Sequence, residues 1–516
     1  MISNLFYQDK KEHEDRLRSL HKLEKHVKMI KMNNIDSLKQ VVRQLFKITF
    51  DQHVYNSILF KQKTDDKVYI SFIKIITQVL LKCTGHHLLQ MKNFIDRDVN
   101  NQGILYCRKQ CLNMINIVFD IVPENYKSML INHFTKHMYR FERPIYHIVT
   151  DVDDTLFSGQ FGGTDTIYNN HVYYPGVKAF HKVVNTSGFT TILTARFKEV
   201  GSQEKLIQKF KQQGFPYPTM PLLGEMWSTL KGTRDIVAKH IKMQYTRAPE
   251  TIESIIDVKH MKDNQCKLDC REVNQECSID NIVKNEIQWS KTYNSMGLTK
   301  YYSFCLLSKI YPEYRYIFIG DSGQGDLLTS LLMSQHPQVE TCFVRDLVRT
   351  QNYLSNQDKK DWEIHLINDQ MKRDLQTKFN VNVIYNYIDP LVYLVQHKVV
   401  TPNSAMLIAN RCLQDFKTII IENKIKNKDW LIKYKQDELF RSRENLMMYI
   451  KQHILNDILQ LVTRLKERKQ IITQNDLVKY KTFFEPLQIT QDNFWDNIDF
   501  IIKEIHRGIQ HYSQSK

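Results

Sequence analysis

The middle of this chain alternates short apolar runs with longer helical patterns, and this alternation constrains the fold most tightly. The runs are YHIVT (146–150), FTTILT (189–194), YRYIFIG (314–320) and TCFVR (341–345). Helical candidates such as DIVAKHIKMQ (235–244) and KYYSFCLLSKI (300–310) lie between them. A strand covered on both faces reads as a continuous apolar run, and strands separated by helices return in parallel. The expectation is an α/β, Rossmann-like parallel sheet. Sites in such sheets form beyond the carboxyl ends of the strands. Asp151, Thr194 and Asp321 each fall at such an end.

The flanks read differently. Leu38, Val41, Val42, Leu45 and Phe46 recur at helical spacing, as do Phe72, Ile75, Ile76, Val79 and Leu80, with Gly85 as a stop. Near the other end, Met447, Ile450, Ile454, Ile458, Leu461 and Leu465 make one apolar stripe. The chain therefore divides into a helical region (1–140), an α/β domain (141–350), the end of that domain or a linker (351–400), and a helical region (401–516). Within the α/β domain, residues 245–299 are polar and aperiodic and read as an insertion or loop.

Charge follows the same division. The net charge of +16 is concentrated outside the middle: residues 1–140 carry 23 Lys+Arg against 13 Asp+Glu, and 141–350 carry 24 against 23. Basic flanks would attract an anionic partner, a lipid surface before a specific nucleic acid, since no nucleic-acid module accompanies the charge. Leu20, Leu23, Val27 and Ile30 share one helix face, with Lys22, Lys25, Lys28 and Lys31 largely elsewhere. Such a helix could lie on an anionic membrane or pack in a domain. The start lacks a secretory pattern and no run is long enough to span a bilayer, so the expectation is a cytoplasmic, at most peripherally membrane-bound protein. Nine scattered cysteines fit a reducing compartment. Cys107 and Cys111 sit one helical turn apart and read as core. His260 with Cys266, Cys270 and Cys277 is a poor match to structural zinc spacing and reads as loop thiols.

Three aspartates stand within TDVDDTL (150–156). Carboxylates this close repel one another unless a cation intervenes. A calcium loop starting at Asp151 would need Gly and Glu where Leu156 and Gly162 stand. GDSGQGD (320–326) lacks the Lys-Ser/Thr ending of a P-loop, and its glycines are misspaced for dinucleotide binding. What remains is Asp151-x-Asp153-x-Thr155 at one strand end and Asp321 at another. Such carboxylates can share one hard cation such as Mg2+, which also lets a carboxylate approach an anionic phosphate.

These motifs resemble the haloacid dehalogenase superfamily. TDVDDTL, YPGV (174–177), LTARF (193–197), YPEYRYIFIGDSGQGD (311–326) and FVRDLV (343–348) are most similar, in order, to the catalytic domain of the actin-patch type of Mg2+-dependent phosphatidate phosphatases. The resemblance spans about residues 141–350. It implies Asp151 as nucleophile and metal ligand, and Asp153 as general acid and base whose backbone carbonyl joins the metal shell. Thr155 would fix the turn and Thr194 would hydrogen-bond a phosphoryl oxygen. Asp321 and Asp326 would be Mg2+ ligands. Lys300, preferred over Lys231, would offset the charge of nucleophile and phosphate, and Arg196 could touch phosphate. Asp154 is expected to be a solvated or turn-bonding carboxylate.

The implied activity is Mg2+-dependent hydrolysis of a phosphomonoester through an aspartyl-phosphate, the substrate being phosphatidate or a related lipid phosphate at an anionic membrane. A soluble phosphometabolite, a phosphoprotein, or a non-enzymatic scaffold on membrane or cytoskeleton are the alternatives.

Overall fold

The computed structural model describes residues 2–49, 67–98, 113–158, 168–169, 172–188, 190–197, 210, 222–224, 291–323, 325–347, 367, 369–425 and 436–514. Lys231, His260, Cys107, Cys111, Cys266, Cys270, Cys277 and the helical candidate 235–244 lie outside them. The chain forms two compact units, Met1–Asp165 with Val184–Val383, and Thr166–Val183 with Ile384–Lys516.

The first unit holds a six-stranded sheet. Its strands are β1 (Tyr146–Thr150), β2 (Thr191–Phe197), β3 (Leu222–Gly224), β4 (Arg315–Asp321), β5 (Val339–Arg345) and β6 (Val381–Ile384), in the order β3-β2-β1-β4-β5-β6. Strands β1 to β5 pair in parallel. The α/β expectation and its parallel sheet are therefore met. The chain winds outward through β2 and β3, then crosses back to β4. Strand order reverses between β1 and β4, and a crevice forms at such a reversal beyond the carboxyl ends. Asp151 follows β1 and Asp321 ends β4, so both stand there.

Burial explains why these runs are strands. Every residue of β1 is buried, including His147, whose ring nitrogens lie 2.9 Å from Ser187 Oγ and 2.8 Å from Thr191 Oγ1. Burial pushes the His147 pKa down to about 3, so the imidazole is a neutral core group. β3 and β6 were not anticipated, being only three and four residues long. β6 places part of segment 351–400 in the sheet. Thr194, expected at a strand end, lies inside β2 because the strand continues through Ala195 and Arg196 to Phe197. Regular pairing with β3 nevertheless stops at Thr194 and Leu223, and the register shifts before Phe197.

The first 140 residues are helical where described, and they share the sheet's unit. Helices Ile2–Met29, Ile35–Thr49 and Lys67–Leu81 bury Leu38, Val42, Phe46, Phe72 and Ile76 in one apolar core with Phe304, Ile310 and Phe318. Leu20, Leu23, Val27 and Ile30 belong to that same core. Protein, not lipid, covers this apolar face. Gly85 does not stop a helix; it opens Gly85–Asn93 with φ +54, its N–H bonding His137 O at 2.8 Å.

The segment 245–299 also needs correction at its end. Residues 291–299 are the first half of helix Lys291–Ile310, so Lys300 sits mid-helix. Gly297 breaks the apolar pattern for a packing reason: a Cβ there would stand 2.5 Å from Gly325 O. The helix needs this bare face to approach the turn before Asp326.

In the second unit, the stripe from Met447 to Leu465 lies on one long helix, Gln436–Arg468. Ile458, Leu461 and Leu465 pack there with Ile498, Ile501 and Ile505. The YPGV stretch belongs to this unit. Gly176 has φ +82 and donates its N–H to Asp415 Oδ2 at 3.1 Å, and a Cβ on it would meet Cys412 Cβ at 2.8 Å. That stretch is a tight packing corner on helix Pro402–Ile421. Among the described residues, no helix is long and apolar enough to cross a membrane.

Candidate metal centre

Two loops at the carboxyl ends of β1 and β4 build the site. The first begins when the Asp151 N–H bonds Ile319 O at 3.0 Å, continuing the sheet one residue past β1. Asp154 then turns the chain with a left-handed φ of +58, and its N–H bonds Phe157 O at 2.8 Å. The second loop is tied by Asp321. Its Oδ1 accepts from the Gly323 N–H at 2.6 Å and its Oδ2 from Thr155 Oγ1 at 3.2 Å. The Thr155 bond joins the two loops, giving that residue a concrete role.

Helix Asp326–Ser334 begins at the site after Gly325, whose φ is +80. Asp326 Oδ2 accepts the Asp321 N–H at 3.2 Å. This contact requires Gly320, because a Cβ there would fall 2.7 Å from Asp326 Oδ2 and 2.8 Å from its Cβ. Gly320 and Gly323 of GDSGQGD thus serve the carboxylates.

Asp151, Asp321 and Asp326 are buried, with one carboxylate oxygen of each within 4.8 Å of the others. Lys300 reaches them from mid-helix. Its Nζ lies 2.9 Å from Asp151 Oδ1 and makes a very short ion pair with Asp326 Oδ1. Lys231 lies outside the described residues. Asp153 is half-buried and close enough that its charge raises the Asp151 pKa. Among the described residues it is not part of the three-carboxylate cluster. Thr194 and Arg196 lie in β2, with side chains outside the described set.

Asp154 differs from its expectation in one half. It is a turn residue, as read, but it is buried rather than solvated. Its charge contributes to the raised pKa of Asp321. The residue that sequence reasoning passed over is Arg345, the last of β5. It is buried, and its Nη1 donates to Asp154 O at 2.8 Å. Its sequence signals were an Arg closing an apolar run and a place within FVRDLV, where no role was given to it.

The electrostatics are unbalanced. Burial, with the neighbouring carboxylates, pushes Asp151 up to about 8 against the pull of Lys300. Burial likewise raises Asp321 well above the carboxylate range and raises Asp326. Burial alone would lower Lys300, but the Asp151 and Asp326 carboxylates overcome it and hold the ammonium charged. Among the described residues, three carboxylates thus face one lysine. Moreover, Asp151 Oδ2 is buried with no hydrogen-bond partner among those residues. An orphaned oxygen among three buried carboxyl groups with one lysine fits a site that a cation could occupy. The donor set is all hard oxygen, which suits a divalent cation of the Mg2+, Mn2+ or Ca2+ type.

No protein-family model, curated protein or solved structure matches this chain.

Proposed function

We propose that this chain is a Mg2+-dependent phosphatase of the haloacid dehalogenase type, hydrolysing a phosphomonoester through an aspartyl-phosphate. The observation that carries the reading is the pair of Asp151 oxygens: Lys300 holds Oδ1, while Oδ2 is buried and, among the described residues, unbonded beside two further carboxylates. Asp151, Asp321, Asp326 and the Asp153 carbonyl would hold the ion. It would neutralise the cluster together with the phosphate oxygens, so that an anionic nucleophile could approach phosphorus.

The protein's own groups then divide the work. A carboxylate oxygen of Asp151 bonds to phosphorus as the ester P–O bond breaks. Asp153 gives its proton to the departing alkoxide oxygen. In the second half, the Asp153 carboxylate takes a proton from water, the water oxygen bonds to phosphorus, and the Asp151–phosphorus bond breaks. Phosphate leaves and both aspartates are restored. Asp153 is half-buried, as a group meeting both the leaving alcohol and water must be. Lys300 offsets the charge of nucleophile and phosphate, and Thr194 would bond a phosphoryl oxygen.

By the sequence resemblance, the substrate is phosphatidate or a related lipid phosphate at an anionic surface, met by a cytoplasmic protein. The buried Leu20–Ile30 face leaves exposed lysines such as Lys22, Lys25 and Lys28 for that contact.

The test is Mg2+-dependent phosphate release from phosphatidate vesicles and from water-soluble phosphomonoesters. Wild type should act on vesicles, and Asp151→Asn should lose turnover by about a thousandfold or more. Wild-type turnover in the Asn variant would falsify the nucleophile assignment. Brisk release from soluble esters alone would sink the lipid part, and release from neither would sink the whole reading.

A further inference from the structure

We infer that Arg345 is a positioning residue that braces both halves of the aspartate site from the end of β5. This rests on the phosphatase reading for its kinetic consequence, though not for its geometry. The Arg345 side chain reaches the first loop, its Nη1 donating to Asp154 O at 2.8 Å. Its main chain holds the second loop, its carbonyl accepting the Ser322 N–H at 2.9 Å. Ser322 Oγ in turn accepts the Leu347 N–H at 3.0 Å, two residues past Arg345. One residue on the strand beside β4 is thus bonded to the loop carrying Asp151 and Asp153 and to the loop carrying Asp321 and Asp326.

The first of these bonds falls where a brace is needed. Asp154 adopts φ +58, which an L residue with a Cβ disfavours. Such a conformation persists only where its surroundings over-determine it. Two hydrogen bonds do so: Asp154 N–H to Phe157 O at 2.8 Å, and Arg345 Nη1 to Asp154 O. Asp153 immediately precedes this turn, so its side-chain direction depends on it. A buried guanidinium is always charged and needs acceptors, which fixes its own position as firmly as it fixes the loop.

A brace that acts through the left-handed turn makes a distinctive prediction. Glycine adopts φ +58 freely, so Asp154→Gly should remove the need for it. Arg345→Met is expected to fold, lower kcat on a phosphomonoester at least about tenfold, and change KM little, because it misplaces reacting groups rather than a binding surface. In the Asp154→Gly background, the same substitution should cost at most about threefold. Mn2+ binding to the full chain, followed by electron paramagnetic resonance without substrate, should show the same non-additive pattern.

An equal Arg345→Met penalty in both backgrounds, or kcat and Mn2+ affinity within twofold of wild type, overturns the inference. Should Arg345→Met not fold, Arg345→Lys in the two backgrounds takes its place, and an equal penalty again overturns it. A wild type that binds Mn2+ but hydrolyses no phosphomonoester defeats the phosphatase reading while leaving the brace to the binding data. If it does neither, both fail.

Discussion

Two clusters of buried charge in the same unit are built on opposite plans. Lys92 and Glu313 have fully buried side chains and bond at 2.6 and 2.9 Å, while Lys92 Nζ also reaches Ile310 O at 2.8 Å. Close by, Asp96 accepts from Tyr311 O–H at 2.6 Å and from the Met114 N–H at 2.7 Å. There each cation has its anion, and Asp96 accepts bonds on both oxygens. At the aspartate site, among the described residues, three carboxylates share one lysine and one buried oxygen has no partner. A satisfied pair specifies how helix Gly85–Asn93 docks behind the Lys300 helix. An unsatisfied cluster keeps coordination capacity in reserve, at a cost in stability.

The largest expected stability effect lies on the balanced side. Lys92→Met strands the Glu313 carboxylate and should destabilise the fold by about 3–5 kcal/mol, measured by denaturant unfolding. Lys92→Met with Glu313→Leu should recover most of that loss. A double variant no more stable than the single would break the view of this pair as a self-contained unit.

A smaller effect separates the sites by pH. Asp151 is raised to about 8, so the metal-free folded protein holds a proton that the unfolded chain releases from about pH 4 upward. Metal-free stability should therefore fall as pH rises through that window, Asp321 and Asp326 acting in the same direction. His147 and His181, both lowered to about 3, work oppositely, as do His133 and His336, also lowered, and their gain tapers off above the ordinary value near 6.5. Asp96, raised to about 6, acts in the same direction as the aspartate site and is mostly ionised above that pH. Between pH 6.5 and 8 the aspartate site dominates, and the metal-free protein should lose on the order of 1–2 kcal/mol. Saturating Mg2+ should abolish that loss, because the ion favours the deprotonated carboxylates. An unfolding midpoint that is flat over this window without metal would contradict an unbalanced site.

The smallest effect has the opposite sign. Asp321→Asn removes one like charge while the Gly323 N–H and Thr155 contacts can persist, so metal-free stability should change by less than about 1 kcal/mol, and upward. Calorimetric Mg2+ binding should nevertheless weaken at least about tenfold. The same neutralisation at Glu313 should be destabilising, which is the sharpest form of the contrast.

Sequence alone determined the parallel α/β middle, because the apolar runs that became β1, β4 and β5 announce strands covered on both faces. It also placed Asp151 and Asp321 at strand ends, since a parallel sheet brings those ends to one side. Short β3 and β6 left too little pattern to read. Only the tertiary structure decided what depends on partners distant in the chain. Lys300 is one of many lysines until helix Lys291–Ile310, let in by Gly297, delivers it to Asp151 and Asp326. Asp154 reads as a surface turn until Arg345 closes over it. YPGV becomes a packing corner only against Cys412 and Asp415. Periodicity showed that Leu20, Leu23, Val27 and Ile30 form an apolar face, but what covers such a face is decided by the rest of the core. Local pattern fixes which groups face inward. Which groups they meet depends on chain closure over tens to hundreds of residues, and no short window of sequence encodes it.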